Sequence, residues 1–197
     1  MPPIFTFEKR ETIKMLLLEI GLALIKEKGI KKMTIDEIVE QAGIGKGTFY
    51  HFFSSKESYV LSVIQFSKER IYRYINAVIA ENGGINKKSF EELLQKFSIS
   101  GSNNIISFMT QEDEEWLGKK LPQEMALNPQ KEDRIADTIF QHVIGKREEI
   151  NYHVIANILK LMALAIENRQ LLHQNALDEN IMLLQQQLSD YIFGKGD

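Results

Sequence analysis

The sequence predicts an all-α protein. Three observations carry that reading. Apolar residues recur at three- and four-residue spacing along most of the 197 positions. Only four prolines and 12 glycines interrupt them. Where breaks do occur, helix start and stop signals stand beside them.

A first helix is expected over residues 8–28. Ile13, Leu16, Leu17, Ile20, Leu24 and Ile25 form its apolar stripe, and Gly29 suits the position after its end. A second helix starts after Thr34. Thr34 with Glu37 three residues on is a capping box, and the helix should stop near Ala42. Gly43 can supply the positive φ of a tight turn, and Ile44 is placed to plug the space between neighbouring helices. A third helix is expected from Lys46 to about Phe52, opened by Gly45 or its neighbour. Phe49 and Phe53, four apart, should face inward. Ser55 with Ser58 is read as the start of a fourth, long helix, which Asn82-Gly83-Gly84 ends. Further helices are expected near 87–100, 103–117, 130–145, 150–173 and 177–193, with 118–130 ambiguous.

Composition narrows the class. The chain has no cysteine, so disulfides and thiolate metal sites are excluded. The first residues lack the apolar core of a signal peptide, and the longest apolar run, residues 159–166, is too short to span a membrane. A cytoplasmic location is expected. Net charge is −3, but it is unevenly spread. Residues 1–56 hold nine Lys/Arg against seven Asp/Glu, and residues 57–197 hold fifteen against twenty. The sign fits a phosphate-contacting N-terminal part on an acidic body.

None of the four histidines, His51, His142, His153 and His173, lies in an H-E-x-x-H pair. Neither a phosphate-binding glycine loop nor a G-x-S-x-G elbow is present. No enzyme activity, cofactor or metal is expected.

Residues 34–56, TIDEIVEQAGIGKGTFYHFFSSK, read as two short helices joined by a glycine turn. This is the pattern of a helix-turn-helix whose second helix enters a major groove. Lys46 can reach a base edge or a phosphate. Gly47 permits close backbone approach. Thr48, Tyr50 and His51 offer hydroxyl, ring and imidazole contacts. Thr34 can present its hydroxyl or the amides of the second helix to phosphate, and Lys56 can clamp another.

The run T-x-D-E-I-x-x-x-A-G-I-x-K-G-T-F-Y-H-F-F-x-S-K-E, from Thr34 to Glu57, resembles the tetracycline-repressor family of transcriptional regulators. The likeness covers roughly residues 10–60. It implies a three-helix helix-turn-helix DNA-binding domain over 1–54 and a larger helical ligand-binding and dimerisation domain over 55–197. It also implies a homodimer on a palindromic operator in double-stranded DNA, with repression relieved by a small-molecule effector. By the same resemblance Lys46, Gly47, Thr48, Tyr50 and His51 match DNA-contacting positions, and Thr34 and Lys56 match phosphate contacts. Phe52 matches a position that contacts DNA in some members. Gly45 departs from the family's frequent serine and lacks its hydroxyl. A ligand-dependent activator or corepressor-type regulator, and a helical interaction or carrier module without DNA binding, are the alternatives.

For the effector pocket the expected lining is Phe90, Leu94, Phe97, Phe108, Met109, Trp116, Met125, Phe140 and Met162. Aromatic and methionine side chains suit a lipophilic ligand. Trp116 beside the acidic run 112–115 would suit a cationic one. For the dimer interface the expected residues are Ile155, Ile158, Leu159, Met162 and Ile166 with Leu177, Ile181, Leu184 and Leu188, two stripes able to build a four-helix interface.

Overall fold

The computed structural model of the protein describes residues 6–97, 105, 109–120 and 139–195, except for the side chains of Phe97, Glu114 and Glu167. The chain divides into two compact units. One comprises Met1–Arg70 with Phe108–Ala126, the other Ile71–Ser107 with Leu127–Asp197.

In the first unit, α1 spans Phe7–Lys32 and is capped by the Thr6 hydroxyl, which accepts from the Lys9 amide. It runs past the expected stop at Lys28. Gly29 breaks it internally with φ 82° and ψ 173°, a conformation open essentially only to glycine, and helical geometry resumes for one short turn. The inward face is Leu17, Leu18, Ile20, Leu24 and Ile25, whereas Leu16, expected in the stripe, is exposed. The reason is the choice between adjacent leucines. Leu18 rather than Leu16 lies on the side that faces Leu61 and Phe66.

α2 (Ile35–Ala42) opens with the expected capping box. The Glu37 amide donates to the Thr34 hydroxyl at 3.3 Å, and the Thr34 amide donates to the Glu37 carboxylate at 3.1 Å. Gly43 ends it in the left-handed region at φ 64°. α3 spans Lys46–Phe52 with Gly45 as its cap. α4 spans Lys56–Asn82, and its residues up to Arg70 belong to this unit. Ser55 and Ser58 cap its start reciprocally, each amide donating to the other's hydroxyl at 3.1–3.2 Å. α6 (Gln111–Lys120) also belongs to this unit.

In the second unit, α5 spans Lys87–Phe97, α7 Tyr152–Glu167 and α8 Gln174–Phe193. The expected helix over 150–173 divides at Asn168, after which Arg169–Leu171 form a short 3-10 turn. The last turn of the helix expected over 130–145 is seen at residues 139–141, followed by a parallel bridge between Ile85 and Val143. The core gathers Ile85, Phe90, Leu93, Phe140, Ile155, Met162, Ile166, Ile181, Leu188 and Ile192.

That core takes in the residues expected at the dimer interface. Ile155, Met162, Ile166, Ile181 and Leu188 are buried within a single chain, and Ile158, Leu159, Leu177 and Leu184 pack against them. Residues 155, 159, 162 and 166 form one helical stripe. Residues 154, 157, 161 and 164 form another, about one residue's rotation away, and it carries exposed Val154, Leu161 and Leu164. A stripe turned toward the chain's own core and one left open to solvent look alike in a sequence.

Candidate nucleic-acid interface

The outward face of α3 is set by what lies behind it. Phe49 is fully buried, its ring 5.2 Å from that of Tyr59 and 5.5 Å from that of Phe53. Phe53 in turn lies 4.9 Å from Tyr59 in an edge-to-face contact. Replacing such an aromatic anchor by alanine costs about 3–5 kcal/mol, which measures how firmly this cluster holds the helix. With Phe49 inward, positions 46, 47, 50 and 51 fall together on the opposite side, at three- and four-residue spacing. Lys46, Gly47, Tyr50 and His51 are all exposed and Thr48 is half-buried. Phe52 is half-buried, with the Arg10 guanidinium 5.6 Å from its ring centroid. A Cβ added at Gly47 would meet nothing within 4 Å, so the fold itself does not demand glycine there. Gly45 is equally open.

Three of the expected contact residues are committed within the chain. Lys46 forms an ion pair with Asp36 at 2.6 Å, and the hydrogen bond and charge of Asp36 raise the pKa of its ammonium. Thr34 accepts from the Glu37 amide and donates its own O–H to the Glu37 carboxylate at 3.0 Å. Glu37 is also paired with Lys28, and that bond, followed by those from Thr34, lowers its pKa. Lys56 donates to the Lys31 carbonyl at 3.2 Å and lies 5.5 Å from the centroid of the Trp116 ring. Burial lowers its pKa, opposed by the nearby carboxylates of Glu57, Asp113 and Glu37.

Residues 17–63 match the model for bacterial regulatory proteins of the tetR family. Over these residues the chain carries the tetR-family segment. The matched segment runs from the middle of α1 through α2 and α3 into the first turns of α4. The chain is 39% identical over 49 residues to the uncharacterised HTH-type regulator YvdT of Bacillus subtilis, covering 25% of each chain. It is 31% identical over 78 residues to the HTH-type transcriptional repressor KstR2 of Rhodococcus jostii, covering 40% of this chain and 37% of that one. The chain thus spans about a quarter to a little over a third of these relatives' lengths. Its fold is similar to that of reduced NemR from E. coli, with TM-score 0.56 and 15% identity over 91% of this chain and 97% of the other.

The residues expected to line an effector pocket are distributed differently. Phe90, Phe140 and Met162 belong to the core of the second unit, and Leu94 packs against it. Met109 and Trp116 lie in the first unit, on or beside α6. Phe108, Met125 and the side chain of Phe97 lie outside the described residues. A cleft of about 300 Å³ opens between α1 and α4, lined by Lys14, Leu18, Leu61, Ser62, Gln65, Phe66 and Glu69. It contains none of the expected lining. Among the described residues no helix is long and apolar enough to cross a membrane.

Sequence reasoning passed over Asp36 and Asp113. Asp36 precedes Lys46 by ten residues across a turn, a separation no helical periodicity flags. Asp113 is 1% exposed although it lies in a run of acidic residues that reads as a solvated face.

Proposed function

We propose that this chain is a ligand-responsive transcriptional repressor that binds a palindromic operator as a homodimer. The observation that carries the reading is the outward face of α3. Lys46, Gly47, Thr48, Tyr50 and His51 share one short helix whose opposite side is pinned by Phe49. In the bound state Lys46 exchanges Asp36 for DNA, Gly47 admits close backbone approach, and Tyr50 and His51 reach phosphate or base edges. Thr34 and Lys56 flank the face as phosphate contacts. In functional terms residues 1–54 read DNA, and 55–197 bind effector and partner subunit.

The exposed stripe of Val154, Leu161 and Leu164 on α7, with Met182 and Leu183 on α8, supports a two-fold interface between copies. Two copies would set their α3 helices about 34–36 Å apart, one turn of B-DNA. The effector is a lipophilic small molecule received in the second unit, where Phe90, Leu94, Phe140 and Met162 supply an apolar lining. Effector and operator then oppose each other by a reciprocal coupling.

The test starts from a duplex selected by the protein from a random 30-base-pair pool, with affinity read by fluorescence anisotropy. Specific binding should weaken steeply as salt rises, because phosphates are neutralised by lysines and amides. Tyr50→Ala should weaken binding across sequences by about tenfold or more, and Lys46→Ala should lower affinity or change the selected bases. Failure to select any duplex refutes the function. Parent-like binding by both variants refutes the contact assignment.

A further inference from the structure

We infer that Asp113 of α6 is a positioning residue of the DNA-reading head, acting on the connector that joins α1 to α2. The role assigned to that head rests on the DNA-binding function proposed above.

Asp113 is 1% exposed, and a carboxylate so enclosed is tolerated only when its oxygens are well supplied with donors. Oδ2 accepts the Thr110 amide and the Thr110 hydroxyl, both at 2.9 Å. Those bonds, with the Asp113 amide donating back to the Thr110 hydroxyl at 3.2 Å, cap the start of α6. Capping alone needs one oxygen and no burial. The other oxygen, Oδ1, accepts the Lys31 amide at 2.7 Å, across 82 positions of sequence.

The connector is shaped to receive it. A Cβ at Gly29 would lie 2.4 Å from Asp113 Oδ2, and Gly29 adopts φ 82°. Only glycine leaves room for the carboxylate and allows the backbone to turn there. Residue 31 is also held from the other side, because its carbonyl accepts from Lys56 Nζ, whose ammonium lies near the Trp116 ring one turn along α6. Lys31 Nζ reaches Glu112 at 3.1 Å, and Lys120 reaches Glu57 at 3.7 Å, so α6 meets both ends of the reading segment. Met33 follows fully buried, and Thr34 then opens α2. The start of α2 and the seat of Lys56 are thus set by a helix outside the 17–63 segment that defines the family.

The test uses the full chain and amide hydrogen exchange by NMR, without DNA. In the parent, the Lys31 amide should be protected well beyond the free-chain rate. Asp113→Asn keeps the size but replaces one acceptor with a donor. It should speed exchange of the Lys31 amide and the first α2 amides at least tenfold, leaving α8 amides unchanged. Thr110→Ala weakens the α6 cap and keeps the Lys31 bond, so it should leave the connector as in the parent. On the selected duplex, Asp113→Asn should weaken binding about tenfold while binding to a random-sequence duplex is retained.

Free-chain exchange at Lys31 in the parent overturns the inference without need of a variant. So does parent-like exchange in Asp113→Asn, or a Thr110→Ala variant that reproduces its effect. If exchange responds as expected but the parent selects no duplex, the DNA-binding function falls and the positioning of the connector stands.

Discussion

Gly21 of α1 lies hard against Tyr59 and Val63 of α4, and replacing it by alanine tests the packing that supports the reading head. A Cβ there would lie 2.4 Å from the Tyr59 hydroxyl, 2.6 Å from Val63 Cγ2 and 2.8 Å from Tyr59 Cζ. Both neighbours are fully buried, and the Tyr59 hydroxyl donates to the Leu17 carbonyl at 2.6 Å. Alanine in a helix gains about 1 kcal/mol over glycine. Against this, overpacking a filled core costs about 1–3 kcal/mol. A tyrosine displaced from its partner loses about 1 kcal/mol more and leaves a buried hydroxyl to be satisfied. The net expectation is a destabilisation of about 1–3 kcal/mol, read as a lower urea midpoint at unchanged slope. Tyr59→Phe removes the closest atom, so it should cost less in the Gly21→Ala background than in the parent. A double-mutant cycle measures that coupling. Gly21→Ala at or above parent stability, or strictly additive effects, would refute the close approach of α1 to α4 at this point.

Three further outcomes are expected. Asp36→Asn should tighten binding to the selected duplex by about two- to fivefold at low salt, converging on the parent as salt rises, because it frees Lys46 and removes a charge that faces phosphate. Tyr59 holds its proton more firmly in the folded protein because burial raises its pKa. The unfolded tyrosine ionises near 10.0, so stability should fall as pH climbs above that value, and Tyr59→Phe should flatten the fall in thermal melts between pH 9 and about 11. Leu161→Glu with Leu164→Glu should convert a dimer to a monomer by light scattering while leaving the helical circular dichroism intact. A parent that is already monomeric at micromolar concentration removes the interface altogether.

The reading head was legible because its signals are local. Thr34 and Glu37 announce a helix start three residues apart, and Gly43 stands where a left-handed residue is needed. Ser55 and Ser58 repeat the capping logic for α4. Phe49 and Phe53 declare the inner side of α3 by their spacing. In the second unit the helices α5, α7 and α8 were legible as helices, but their faces were not. On α7 the run from Val154 to Ile166 is apolar on two adjoining stripes. Which stripe turns inward depends on where α8 lies, a fact no spacing within α7 carries.

The same limit explains what was missed in the head itself. The connector at Gly29–Lys31 looks, from its own residues, like an ordinary helix end with a glycine stop. Its conformation is instead bound up with a carboxylate 82 positions later, and Gly29 is required by that neighbour as much as by its own φ. A glycine that ends a helix and a glycine that admits a distant side chain are identical in sequence and differ in what a Cβ would strike. The segment that carries family likeness stops at residue 63, while the hydrogen bonds that hold its entrance come from α6. Transplanting residues 17–63 alone into another body would therefore keep the face of α3 and lose the support of the helix before it.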